Sequence, residues 1–216
     1  GSIEAILYAP LTKKAMRIAG HAAGDELDYL IHHMPPPGVF GEINILGAVW
    51  TSRVTSHIPL SRVAENLTQE SLDRAIRLLD GALRLGGFAQ PRLALAALNP
   101  HAGEGGAYGR EEIDLLAPTV ERIRSTGIDI DGPYPSDTIF PRAVSGQFDG
   151  VVTLFHDQGQ LALKAMGLGQ GITLLAGLPV PVATPAHGTA FDIAGKGTAR
   201  HKGFTAALEL VARMAQ

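Results

Sequence analysis

Asp149-Gly-Val-Val-Thr-Leu-Phe-His-Asp-Gln-Gly159 sets an apolar run directly against four polar or glycine residues. Such a run, without polar alternation, reads as a strand buried on both faces, the habit of parallel sheets covered by helices. Arg92 to Leu98 has the same character and runs into the loop Asn99-Pro-His-Ala-Gly-Glu-Gly-Gly106, and Gly171 to Ala176 is a third buried strand. Helical sequence lies between them. Thr68 is placed to cap a helix reaching Leu85, with Leu72, Ala75, Ile76, Leu79 and Leu83 on one face and Gly86-Gly87 as its stop. Thr12 to Ala19 reads as a short helix and Phe204 to Ala215 as a C-terminal one. Helical sequence from Glu111 restarts at Pro118, a residue favoured in a first turn, and runs to Gly127. Buried strands alternating with amphipathic helices predict an α/β fold with a mainly parallel sheet flanked by helices.

Outward from that frame, Glu4 to Ala9 is strand-like and Pro10 ends it, while Met34-Pro-Pro-Pro-Gly38 breaks any regular element. Val39 to His57, interrupted by Gly41 and Gly47, reads as a hairpin, and His32-His33 before the proline break read as a solvated helix end. Gly1-Ser2 looks like a cloning remnant. A domain that opens at once on a strand suggests that N-terminal residues are missing. With 45% hydrophobic residues in 216, the chain can bury a real core as one large or two small domains. A net charge of −3 supplies no basic stripe, which argues against a nucleic-acid partner. No apolar run is long enough to cross a bilayer, and no secretory-signal pattern is visible, so a cytoplasmic location is expected. The absence of cysteine excludes disulfides, thiolate metal sites and thiol nucleophiles.

The polar chemistry gathers where strands end, which is where open α/β sheets bind ligands. His156 could be a metal ligand, with Asp157 fixing its tautomer or joining it, although a single loop histidine can equally face water. His57 in Thr-Ser-His-Ile-Pro ends a β-type stretch in the same way. Asn99, His101 and Glu104 are concentrated in a loop whose glycines would let backbone N–H groups approach an anion, or would simply make a turn. His187-Gly-Thr-Ala-Phe-Asp-Ile-Ala-Gly-Lys-Gly197 frames His187, Asp192 and Lys196 with glycines. It lacks the Gly-x-Gly-x-x-Gly pattern, so on its residues alone it is a polar, glycine-rich ligand loop.

That last stretch resembles the cofactor loop of the isocitrate/isopropylmalate dehydrogenase superfamily. Together with Leu98-Asn-Pro-His-Ala-Gly-Glu-Gly-Gly106, Gly132-Pro-Tyr-Pro-Ser-Asp-Thr138 and His156-Asp-Gln-Gly159, it resembles one branch, the 4-hydroxythreonine-4-phosphate dehydrogenases (PdxA-like) of vitamin B6 synthesis. The resemblance runs from about Ala5 to the C-terminus and lacks the family's N-terminal segment. It implies a metal-binding and dimerisation part over residues 3–90 and a cofactor-binding α/β part over 91–216. It further implies a homodimer with a divalent metal (Mg, Mn or Zn) at the interface, held by three histidines. His57 and His156 match two of them. Asp25 stands at the third place, with His21 nearby, and a carboxylate there would favour Mg²⁺ or Mn²⁺.

The same resemblance assigns Lys164 to the substrate's anionic part, with Asn99 and Thr173 on the substrate side and Thr173 standing where the family has asparagine. It sets His187, Gly188, Asp192 and Lys196 against NAD or NADP, and leaves Asp157, His101 and Lys164 as candidates for the catalytic steps. The family's phosphate-binding arginine aligns with Val182, which can supply neither charge nor donors. The implied activity is therefore oxidation of a small hydroxy acid other than 4-phospho-hydroxythreonine, such as a non-phosphorylated acid or a carboxylated ring diol, with or without decarboxylation. The alternatives are a metal-dependent hydrolase and a non-catalytic fragment that binds ligand.

Overall fold

The three apolar runs become strands in a computed structural model that describes residues 3–21, 24–167 and 171–216. The Gly1-Ser2 pair lies outside the described residues. In chain order the elements are β1 (Ile6–Leu7), α1 (Lys13–Ile18), α2 (Glu26–His33), β2 (Gly41–Leu46), β3 (Val49–Arg53), α3 (Gln69–Leu85), β4 (Leu93–Ala96) and α4 (Ala117–Arg124). They continue as β5 (Ile130–Tyr134), α5 (Ser136–Val144), β6 (Gly150–Thr153), α6 (His156–Met166), β7 (Ile172–Ala176), β8 (Val182–Pro185) and α7 (Lys202–Met214). The chain divides into two compact units, Gly1–Leu46 with Gly167–Gln216, and Gly47–Met166.

The Gly47–Met166 unit is the α/β motif that the apolar runs predict. Its strands lie in the order β3, β6, β4, β5, and every pair is parallel. Leu93, Leu95, Val151, Val152 and Leu154 are fully buried, so neither face of the central strands meets water. The amphipathic face of α3 packs on β3 and β6, with Leu72, Ile76, Leu79 and Leu83 each at 0% exposure. Thr68 does cap α3: its hydroxyl accepts the Ser71 N–H at 3.1 Å, and the Ser71 hydroxyl accepts the Thr68 N–H at 2.9 Å. The helix sits so close that a Cβ on Gly150 would lie 2.8 Å from Leu79 and 2.9 Å from Leu83. Gly150→Ala should therefore cost about 1–3 kcal/mol through overpacking. A drop in the urea midpoint with an unchanged m-value is the expected record, and an unchanged midpoint would refute it.

The restart at Pro118 takes the form of a widened turn. Glu112–Leu116 is one π-type turn, in which the Ala117 N–H reaches back to the Glu112 carbonyl, and Pro118 falls in the first turn of α4. The widening accommodates a residue with no N–H to donate.

In the Gly1–Leu46/Gly167–Gln216 unit the pairing is mixed. β1 is parallel to β8, whereas β8 with β7 and β7 with β2 are antiparallel. Ala207, Leu210, Val211 and Met214 form the buried side of α7, which packs on β1, β7 and β8. Thr12 caps α1 by accepting the Ala15 N–H, and His32 and His33 do end a helix, in the last turn of α2.

Candidate active site

All four strands of the Gly47–Met166 unit point their carboxyl ends the same way, so the segments that follow them share one edge. Two extended strand ends bring the first histidines together. The Val54 N–H donates to the Thr153 carbonyl at 2.8 Å, and the Thr55 N–H and hydroxyl both donate to the Leu154 carbonyl. This zipped extension delivers His57 and His156 with ring centroids 5.6 Å apart. His57 takes a φ of 45°, a left-handed conformation that costs an L-residue roughly 1–2 kcal/mol. Strain of that kind survives only where the surroundings impose it.

His156-Asp-Gln-Gly159 is not the loop its polarity suggested: it is the first turn of α6. β6 passes almost directly into the helix, which leaves these polar groups at the helix start. The Asp157 carboxylate lies 2.7 Å from His156 Nδ1. An anion there holds the proton on Nδ1 and leaves Nε2 as the nitrogen with a free lone pair.

Two clefts open along this edge. One, of about 350 Å³, is lined by Thr55, Ser56, His57, Ile58, Leu60, Val63, Phe155, His156 and Asp157. The other, of about 530 Å³, is lined by Leu98, Asn99, Pro100, His101, Ser136, Asp137, Phe155, Asp157, Gln158 and Leu161. Phe155 and Asp157 border both. The fold thus brings together five of the residues singled out from sequence: His57, His156, Asp157, Asn99 and His101. Lys164 lies two turns further along α6, exposed, and lines neither cleft.

The wall carrying Asn99 and His101 is unusual backbone. His101, Ala102, Gly103, Glu104 and Gly105 all have positive φ, forming a left-handed turn. Beneath it sits Glu112, 3% exposed. Its carboxylate accepts the Leu98 and Asn99 N–H groups at 2.8 Å each and Asn99 Nδ2 at 2.9 Å. Burial opposes its charge, but these donors outweigh that and hold its pKa below the ordinary carboxylate value. Gly103 must be glycine, because a Cβ would fall 2.8 Å from the Glu112 carboxylate. No local pattern marks Glu112, and Ser136, Asp137 and Gln158 stand within the recognisable motifs with nothing in the sequence to single them out.

The remaining candidates belong to the Gly1–Leu46/Gly167–Gln216 unit. Asp25 is the N-cap of α2, its carboxylate accepting the Asp28 N–H at 2.9 Å. His21 packs edge-on against Tyr29. Thr173 accepts a hydrogen bond from Asn44 at 3.2 Å on the neighbouring strand. Val182 is wholly buried in β8. In the 187–197 loop, His187 Nδ1 lies 2.9 Å from the Gly188 carbonyl, and Lys196 Nζ donates to the Asp192 carbonyl at 2.7 Å. Among the described residues, no three His, Asp or Glu side chains converge closely enough to hold a metal by themselves.

The family described as pyridoxal phosphate biosynthetic protein PdxA matches residues 1–211. This chain belongs to the PdxA family. A Pseudomonas aeruginosa relative that carries the 4-hydroxythreonine-4-phosphate dehydrogenase name is 50% identical over 217 residues, 99% of this chain and 64% of the relative. The solved 4-hydroxythreonine-4-phosphate dehydrogenase of Klebsiella pneumoniae superposes with a TM-score of 0.85 at 37% identity, over 98% of this chain and 65% of that one. A PdxA-like fold is also shared with the terephthalate 1,2-cis-dihydrodiol dehydrogenase of Burkholderia xenovorans, with a TM-score of 0.75 and 30% identity, covering 98% and 67% of the two chains. This PdxA-family chain spans a little under two thirds of the first curated relatives it matches.

Proposed function

We propose that this chain contributes to a metal-dependent dehydrogenase that oxidises a secondary alcohol of a small hydroxy acid, with NAD or NADP as hydride acceptor. The observation that carries the reading is the His57–His156 pair at the joined clefts, with His156 oriented by Asp157. Two imidazoles at that separation, one with its tautomer set by a carboxylate, suit a divalent transition metal. A metal bound there would lower the pKa of a chelated alcohol and polarise the carbonyl formed from it. Asp25, with His21 nearby, is the third donor that the family resemblance puts forward. A homodimer with its active site at the interface would complete the set.

The other roles follow from chemistry and place. Asp157 and His101 border the clefts and are the candidates to take the alcohol's proton. Asn99 lines the substrate side, and Lys164 and Thr173 would meet the anionic end. His187, Gly188, Asp192 and Lys196 lie on the exposed glycine-rich loop that would face the nucleotide. Val182, buried in a strand, offers no charge to a phosphate, which supports a non-phosphorylated acid. Of the solved relatives, one is named for a phosphorylated hydroxy acid and another for a carboxylated ring diol, so the test includes both classes.

The test is reduction of NAD⁺ and NADP⁺ in the presence of Mn²⁺ or Zn²⁺ by a panel of non-phosphorylated hydroxy acids, ring-diol carboxylates and 4-phospho-hydroxythreonine. Turnover of the first two groups is expected. Preference for the phosphorylated compound would overturn the substrate assignment, and ester hydrolysis without nucleotide would overturn the dehydrogenase. Within that site, Asp157→Asn should weaken Mn²⁺ binding by about 10–100-fold, because the amide no longer fixes the imidazole's proton. Titration calorimetry reads this directly, and unchanged affinity would remove Asp157 from the role.

A further inference from the structure

We propose that Gln158 is a positioning residue that sets the direction of His156, an inference that rests on the metal-site reading above. Gln158 follows His156 by two residues, yet its side chain reaches across three elements. Its Oε1 accepts the Leu154 N–H at 2.7 Å. Its Nε2 donates to the Ala97 carbonyl at 2.8 Å and to the Ser136 hydroxyl at 2.8 Å. The Ser136 hydroxyl in turn donates to the same Ala97 carbonyl at 2.9 Å. The end of β6, the end of β4 and the start of α5 are thus tied by one amide.

The consequence is geometric. Leu154 is the last residue but one before the chain turns into α6, so holding its N–H fixes the angle at which α6 begins and the direction in which His156 leaves it. Gly159 adds a second restraint: a Cβ there would lie 3.2 Å from the Thr153 hydroxyl, so the first turn of α6 lies tight against β6. Ala97 immediately precedes the segment bearing Asn99 and His101, so the same amide spaces the two histidine-bearing segments. Only glutamine supplies one acceptor and two donors at this reach. A glutamate would turn a carboxylate oxygen toward the Ala97 carbonyl with no proton between them, and methionine offers neither group.

The experiment uses the protein with Mn²⁺ as probe, comparing Gln158→Glu, Gln158→Met, Ser136→Ala and His156→Ala. Affinity comes from titration calorimetry, and the number of imidazole nitrogens on Mn²⁺ from electron spin-echo modulation. Both Gln158 variants should bind Mn²⁺ about 10–100-fold more weakly, the usual effect of losing an outer partner that orients a ligand. Their imidazole-nitrogen modulation should fall while far-UV circular dichroism stays that of the parent. Ser136→Ala removes two neutral hydrogen bonds, the one it accepts from Gln158 and the one it donates to Ala97, and should weaken binding by about 2–10-fold; it decides the question if the Gln158 variants do not fold. Affinity within twofold of the parent, with full nitrogen modulation, would show that Gln158 only packs, and would overturn the inference. Parent-like affinity in His156→Ala is a different failure, since it would overturn the metal-site reading itself.

Discussion

His156→Ala should abolish tight Mn²⁺ binding and lower turnover by well over about 100-fold, beyond the 10–100-fold that loss of an outer partner costs. Deleting a ligand removes a donor atom, whereas deleting its partner only loosens one. His57→Ala should do the same, because the two imidazoles lie 5.6 Å apart and would act as one unit. The double variant should then be scarcely worse than either single one, the non-additivity expected of groups that serve a common step. Stability gives the control. The His156 side chain is 38% exposed, so its loss should leave the unfolding free energy within about 0.5 kcal/mol of the parent. His57→Gly offers a finer contrast: it also deletes the ligand, but it suits the φ of 45° and should not lower stability as His57→Ala would. Retention of parent-like Mn²⁺ affinity by both alanine variants would remove the histidine pair from the metal site.

The elements that the sequence revealed are those in which one physical rule dominates. β4, β6 and β7 were legible because buried strands have no polar alternation to hide them, and α3 because its apolar face, cap and glycine stop agree. The misses have their own causes. β5 reads Ile130-Asp-Gly-Pro-Tyr134, residues that argue against a strand, and it survives by pairing with β4 alone in its unit. β8 is hidden by the prolines around it, and its partner β1 lies at the other end of the chain, which no local pattern announces. The site divides in the same manner. Strand-end histidines could be singled out because polar residues right after an apolar run stand out. Gln158 and Glu112 could not, since their importance lies in what they bond to: Gln158 to Ala97 and Ser136, and Glu112 to backbone 13 and 14 residues earlier. The glycines of residues 103–106 signalled a turn, but its left-handed run through His101, Ala102 and Glu104 shows only in the backbone angles.

Glu112→Ala should be the most destabilising single change at the site, by about 2–5 kcal/mol. The carboxylate is the acceptor for the Leu98 and Asn99 N–H groups, and without it two half-buried donors lose their partner, at roughly 1–3 kcal/mol each. Asn99 Nδ2 keeps its other acceptor, Glu111, at 2.7 Å, so its share is smaller. Glu112→Gln keeps one acceptor but turns an NH₂ toward donors, and should fall between the parent and alanine. The pH dependence separates charge from shape. The donors depress the folded-state pKa of Glu112 below its unfolded value, so the stabilisation is complete above the unfolded carboxylate pKa of about 4.3. It is lost as pH falls through the depressed folded value. The parent should therefore lose stability more steeply in acid than Glu112→Gln, which keeps only the contributions of other carboxylates such as Asp131 and Asp149, and the two stability curves should converge below that value. The cleft should report the same event: with Glu112 gone, the left-handed turn loses its floor, and Asn99 and His101 lose their place beside Asp157. Chemical denaturation from neutral to acid pH measures all of this, and a constant gap between the two curves would show that hydrogen-bond geometry rather than ionisation makes Glu112 indispensable.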